Sequence, residues 1–199
     1  MQTEPTTAVV VLAAGEGRRL GGVAKALLPV GQGTLLDRAL ATAALVGIAP
    51  AQVVVVVGAP HGDAVAAAAR AAGCVVVVNP APARGMASSI AVGFAALGSA
   101  PATITGALLW PIDHGLVGPA TLHVLLPATS HDAVAPRYAD RGGHPVWIAR
   151  RAWPALAACG DVVGGARAVM RGWDRAWIDV DDAAVVLDLD EPADLARLA

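Results

Sequence analysis

Two basic residues, Arg19 and Lys25, stand in a glycine-rich stretch that follows directly on a short apolar run. The run is Ala8-Val9-Val10-Val11-Leu12, and it continues as Ala13-Ala14-Gly15-Glu16-Gly17-Arg18-Arg19-Leu20-Gly21-Gly22-Val23-Ala24-Lys25. Glycines and alanines let backbone N–H groups come close to an anion, and successive N–H groups in such a turn form a concave anion site. Arg19 and Lys25 add fixed positive charge, which is what phosphoryl-type transfer needs most from a protein. Two familiar nucleotide motifs do not fit. A Walker loop requires Gly-Lys followed by Ser or Thr, whereas Lys25 lies between Ala24 and Ala26. The dinucleotide fingerprint requires a third glycine where Leu20 stands. The loop reads as phosphate-binding, of another kind.

Carboxylates supply the second half of the chemistry. Asp113 follows the apolar segment ending at Leu109-Trp110, and Asp188 and Asp190 lie near the C-terminus. Mg²⁺ takes hard oxygen ligands, usually one or two carboxylates together with substrate phosphates, so Asp113 is the leading ligand. A turn or helix cap is the alternative role for Asp113, given Gly115 and Pro119. Asp188 and Asp190 are read as alternating along a strand end, so that only one can face the metal. Asp188 is assigned as that ligand, and Asp190 as the cap of a helix beginning near Pro192. His114 is read as a loop side chain rather than a base.

These residues must be positioned by alternating elements. Apolar runs at Ala8–Leu12, Val53–Val57, Cys74–Val78, Ala107–Trp110, Ala133–Ala135, Val146–Ala149, Ala176–Val180 and Val185–Leu187 read as strands. Helical stretches lie between the first four: Leu35–Val46 behind Thr34 as N-cap, Asp63–Ala72 ending at Gly73, and Ser88–Leu97 ending at Gly98. Ser88 and Ser89 are read as possible caps. The rhythm predicts an α/β fold: a single domain over residues 1–199 with a doubly wound, mainly parallel sheet and ligands at the carboxyl ends of its strands. Val134–Tyr138 and His144–Ile148, joined by Ala139-Asp140-Arg141-Gly142-Gly143, predict a small antiparallel excursion.

Composition excludes several classes. At 199 residues the chain suits one α/β domain. Its 56% hydrophobic content comes mostly from Ala and Val, and Ala39–Pro60, its longest apolar stretch, is interrupted too often to cross a bilayer. No membrane association is expected, and Met1–Thr7 lacks the basic start of a secretory signal, so a cytoplasmic location is expected. A net charge of −2 provides no general surface for nucleic acid. Cys74 and Cys159, without metal-ligand spacing, read as buried small hydrophobes.

Taken in order, these pieces resemble the MobA-like nucleotidyltransferases, which include the molybdenum cofactor guanylyl- and cytidylyltransferases. Their opening motif is L-A-[AG]-G-x-x-x-R-x-G followed shortly by Lys. Further matches are Asn79-Pro80, Gly85-Met86-Ala87-Ser88-Ser89-Ile90 with Gly93, Pro111-Ile112-Asp113, Gly143-His144-Pro145 and Asp188-Leu189-Asp190-Glu191-Pro192-Ala193-Asp194. The resemblance implies a Rossmann-like nucleotidyltransferase fold and a nucleotide site at Leu12, Ala13, Ala14, Gly15, Gly17, Arg19, Lys25, Asn79 and Ser89. It implies that Arg19 meets the departing pyrophosphate, that Lys25 contacts the α-phosphate, and that Asp113 and Asp188 hold Mg²⁺. Arg141 and His144 would face the acceptor.

Ala14 points to CTP, since a methyl narrows the floor under the base and guanylyl enzymes often have Gly there. The implied acceptor is molybdopterin or its molybdenum form, with a molybdoenzyme as possible partner. Sugar-phosphate or methylerythritol-phosphate transfer is the nearest alternative, and a non-catalytic nucleotide-binding accessory protein another. The family usually has Pro where this chain has Gly115, which is expected to loosen the loop bordering the acceptor.

Overall fold

The computed structural model describes residues 6–126, 130–189 and 194. Its elements are β1 (Thr6–Leu12), β2 (Pro29–Val30), β3 (Gly33–Thr34), α1 (Leu35–Leu45), β4 (Val53–Val57), α2 (Gly62–Ala71), β5 (Val75–Val78) and α3 (Met86–Ala96). There follow β6 (Ile104–Pro111), α4 (Pro119–Leu125), β7 (Ala133–Tyr138), β8 (Arg141–Gly142), β9 (Val146–Ala149), α5 (Trp153–Ala157), α6 (Gly165–Val169) and β10 (Arg175–Asp179). Among the described residues the main sheet runs β10-β7-β9-β6-β1-β4-β5, with β8 paired to β7. Strands β6, β1, β4 and β5 are parallel, and β9 lies antiparallel between β6 and β7. The sheet is therefore mainly parallel with an antiparallel portion, and β2 and β3 make a separate small ribbon.

Side-chain alternation along buried strands splits the core into two layers. Val9, Val11, Val53 and Val55 join Leu35, Leu36 and Val65 on the side of α1 and α2. Ala8, Val10, Val54 and Val56 join Ile90 and Phe94 of α3 on the other. A Cβ on Gly93 would lie 2.4 Å from Val10 Cγ1, so the absence of a side chain there lets α3 settle directly on β1. Thr34 caps α1 as the sequence predicts: its hydroxyl accepts from Asp37 N–H and the Asp37 carboxylate accepts from Thr34 N–H. The turn at Ala139 and Asp140, both at positive φ, closes the β7–β8 hairpin.

Three readings are corrected. Residues Val185–Leu187 form no strand: Ala183–Val186 is a 3-10 turn with Val185 fully buried. Asp182 imposes it, since its carboxylate accepts from Ala184 N–H, from Gly118 N–H at the start of α4, and from the Thr121 hydroxyl. Ser88 and Ser89 do not cap α3, which starts two residues earlier behind Gly85. Nor is the loop at Gly115 loose. Gly115 N–H closes a 3-10 turn on Ile112 O at 2.9 Å, and Leu35 packs where a Cβ would stand.

Asp182→Ala removes three hydrogen bonds to groups 2 to 64 residues away and is expected to lower unfolding free energy by about 2–3 kcal/mol. Urea denaturation checks it; a midpoint equal to wild type would show that the 183–186 turn does not depend on this clamp.

Candidate functional site

Beyond β1 the chain turns at Gly17, whose φ of 61° and whose hypothetical Cβ, 2.0 Å from Val23 O, require glycine. Gly17 O accepts from the N–H groups of Leu20 and Gly22, and buried Leu20 anchors the turn to the core. The result is one wall of a cleft of about 470 Å³. Leu12, Ala13, Ala14, Gly15, Gly17, Arg19 and Lys25 line it, as does Ser89 from the opposite side, and Asp113 lies at its end.

Asn79, assigned to the nucleotide site, does not itself line the cleft. It is 2% exposed, and its amide donates to the hydroxyls of Ser88 and Ser89 at 2.8 and 2.9 Å. Its carbonyl oxygen accepts from Ala81 N–H. Asn79 therefore holds the Ser89 wall in position. Glu16 and Arg18, which sequence reasoning passed over, also line the cleft and pair with each other. Their alternating charges within the glycine loop were the available signal.

Lys25 Nζ stands 3.6 Å from Asp113 Oδ2, both side chains being largely buried. Behind them lies His114, 5% exposed, with its backbone carbonyl accepting from Trp110 Nε1–H at 3.0 Å. His114 Nε2 is 3.0 Å from Asp188 Oδ1. Asp188 thus reaches Asp113 from a segment following the 3-10 turn rather than along a strand, while Asp190 lies outside the described residues. Asp113, His114 and Asp188 each present a ligand atom within 4.8 Å of the others. Asp113 Oδ1 is buried and receives no hydrogen bond among the described residues. A buried carboxylate oxygen without a donor is what a divalent cation satisfies, so the donor set fits one.

A second compartment of about 260 Å³ opens on the other side of Asp113 and shares Met86, Pro111 and Asp113 with the first. Arg141, Gly143, His144, Val185 and Asp188 belong to its wall, so both residues assigned to the acceptor side face it. The His114 and His144 rings lie 4.9 Å apart. Burial, reinforced by His114, lowers the His144 pKa from 6.5 to about 4, leaving its imidazole neutral near pH 7. Cys74 and Cys159 are buried, and burial raises both thiols. Among the described residues no helix is long and apolar enough to cross a membrane.

Comparison with known proteins places this geometry. The MobA-like NTP transferase domain matches residues 9–179. Nicotine blue oxidoreductase of Paenarthrobacter nicotinovorans is 34% identical over 205 residues, covering 98% of this chain and 97% of that protein. The crystal structure of Rv0371c from Mycobacterium tuberculosis H37Rv is 31% identical, with a TM-score of 0.78 and coverage of 99% of this chain and 98% of that one. A manganese complex of that protein has a TM-score of 0.73 at 31% identity, covering 98% of each chain. Molybdopterin-guanine dinucleotide biosynthesis protein A of Archaeoglobus fulgidus, 20% identical with a TM-score of 0.70 and coverage of 96% of each chain, shares the fold.

The orphaned Asp113 oxygen generates a test that needs no substrate. Asp113→Asn is expected to weaken Mn²⁺ binding, followed by calorimetry, by more than about tenfold. Asp190→Asn should match wild type; an unaltered isotherm for Asp113→Asn would remove that carboxylate from the cation site.

Proposed function

The chain belongs to the MobA-like NTP transferase family, and from that premise we propose that it transfers CMP from CTP to a phosphorylated acceptor with release of pyrophosphate. The acceptor we assign is molybdopterin or its molybdenum form, with delivery to a molybdoenzyme. The observation that carries the reading is the meeting of two compartments at Asp113, with Lys25 3.6 Å from its carboxylate. A phosphate oxygen of the acceptor, ionised at neutral pH, attacks the α-phosphorus from the smaller compartment. Pyrophosphate leaves along the glycine turn.

Each residue has a role that follows from its position. The backbone around Gly15 receives the triphosphate, and Arg19 compensates the charge on the departing pyrophosphate. Lys25 stabilises charge gathering at the α-phosphate, in a cleft where preorganised cations act more strongly than in water. Asp113 and Asp188 would hold Mg²⁺, which when bound supplies Lewis-acid charge compensation and alignment of the triphosphate. The manganese complex of the 31% identical relative supports a divalent cation here. Arg141 would receive the acceptor's phosphate, and neutral His144 would border it. A cytoplasmic location accords with these soluble substrates.

Ala14 supports the choice of base. It is 6% exposed among the residues lining the cleft, and its methyl lies 3.1 Å from where a Cβ on Gly58 would be. The discrimination it provides against guanine is on the order of 1–3 kcal/mol.

The relative named as an oxidoreductase motivates a second reading, in which the larger compartment takes the nucleotide portion of an electron-donating dinucleotide and the smaller one an oxidised acceptor. Incubation with each nucleoside triphosphate, Mg²⁺ and molybdopterin, with pyrophosphate and dinucleotide products measured, separates the two. Product formation supports transfer, whereas its absence together with acceptor-dependent oxidation of a reduced nicotinamide supports electron transfer.

Within the transfer reading, Lys25→Ala is expected to lower turnover by roughly two to three orders of magnitude with unchanged folding. Wild-type turnover in that variant would end the role given to Lys25. CTP should be used more efficiently than GTP, and Ala14→Gly should raise relative GTP use up to about a hundredfold. A wild-type preference for GTP in competition assays contradicts the account of the cleft floor.

A further inference from the structure

We propose that His114 is a third ligand of the cation, and that its imidazole makes this site prefer Mn²⁺ to Mg²⁺. The inference rests on the reading that Asp113 and Asp188 hold a divalent ion. His114 Nε2 lies 3.0 Å from Asp188 Oδ1 and 3.9 Å from Asp113 Oδ1. Ligand atoms bonded at about 2.1 Å to one six-coordinate cation stand roughly 3 Å apart when adjacent and about 4.2 Å when opposite. The two His114 separations fall in that range.

The orientation of the ring is the second argument. His114 Nδ1 faces Ala184 O at 3.4 Å, so that in the tautomer with the proton on Nδ1 this carbonyl accepts it and Nε2 is left bare. Nε2 is thereby turned toward the two carboxylates, as when a metal-binding histidine is fixed through its other nitrogen. Both ends of the arrangement are pinned. Trp110 Nε1–H donates to His114 O, and the Asp182 carboxylate accepts from Ala184 N–H.

Asp113 Oδ1 supplies the third. It is buried without a donor, and at 3.9 Å His114 Nε2 is too distant to be one. A cation among the three atoms satisfies Asp113 Oδ1, Asp188 Oδ1 and Nε2 together. The choice of metal then follows from ligand type. Mg²⁺ is held by oxygen and retains waters, while an imidazole nitrogen favours a transition ion.

The experiment loads the full-length protein with Mn²⁺, without nucleotide or acceptor, and records electron spin echo modulation. Wild type is expected to show ¹⁴N coupling from a bound imidazole, and His114→Gln to lose it. Mn²⁺ affinity should fall about tenfold in His114→Gln, with Mg²⁺ affinity, read by competition, changed less than about twofold. Wild type should bind Mn²⁺ at least about tenfold more tightly than Mg²⁺. Because His114 is buried, His114→Asn is compared as a second variant and both are checked by circular dichroism, though the wild-type spectrum decides ligation by itself. Bound Mn²⁺ lacking nitrogen coupling, with binding still lost in Asp113→Asn, leaves the carboxylate site standing and overturns the role of His114. Equal loss of Mn²⁺ and Mg²⁺ in His114→Gln overturns the metal preference, and no Mn²⁺ binding by wild type overturns both readings of the site.

Discussion

Strands β1 and β6 pair in parallel with Leu12 opposite Pro111, and everything at the site depends on that register. Two parallel strands ending level with each other release their loops side by side at the same sheet edge. One loop is the glycine turn carrying Arg19 and Lys25; the other carries Asp113. A slip of one residue would rotate Val9 and Val11 out of one core layer and Val10 out of the other, so burial on both faces holds the register. Core packing and the placement of Lys25 beside Asp113 are thus the same constraint, and the tight seat of Gly93 on Val10 reinforces it.

The charges so gathered must be tolerated before any substrate arrives. Lys25 and Asp113 face each other at 3.6 Å, and Arg18 pairs with Glu16 at the rim. Lys25 and Arg18 therefore each have a local counter-ion that an incoming anion can displace or a divalent ion can share. Leaving either of the largely buried partners alone would be the unfavourable state, which explains why they are presented together. Asp113 satisfies only one oxygen this way. Its second oxygen remains a directed acceptor, and the imidazole of His114 and the carboxylate of Asp188 share that side of it.

What the sequence made legible was local. Alternating apolar runs, the Thr34 cap, the glycine turn and Asp113 beyond a strand all follow from residues within a few positions of one another, where period and turn chemistry act. The errors arose where a distant partner decides. Val185–Leu187 has the composition of a strand, yet Asp182 turns it into a 3-10 turn through hydrogen bonds to Gly118 and Thr121. Asp188 was chosen on strand alternation, and it reaches the site from a different backbone. The motif at Asn79 likewise gives no hint that its amide serves two serines of α3. His114 looked like a loop residue because nothing nearby reveals Ala184 and Asp188, which are brought to it from some 70 residues away.

The chain divides its task along its length. The larger compartment is lined by residues up to Asp113, from the end of β1 and its loop, the start of α3 and the end of β6. The smaller compartment comes mainly from later residues, through the β7–β8 turn at Arg141, the segment at His144, and the clamped turn at Val185. Gly143 shows how closely these late pieces fit, since a Cβ there would lie 2.1 Å from Val185 O. Because β9 inserts antiparallel between β6 and β7, the excursion is carried on the same sheet as the strands that bear the glycine turn and Asp113. Changes on the late half can therefore reshape the smaller compartment without disturbing the glycine turn or Lys25. A shared fold with separately built compartments is compatible with relatives named for different reactions.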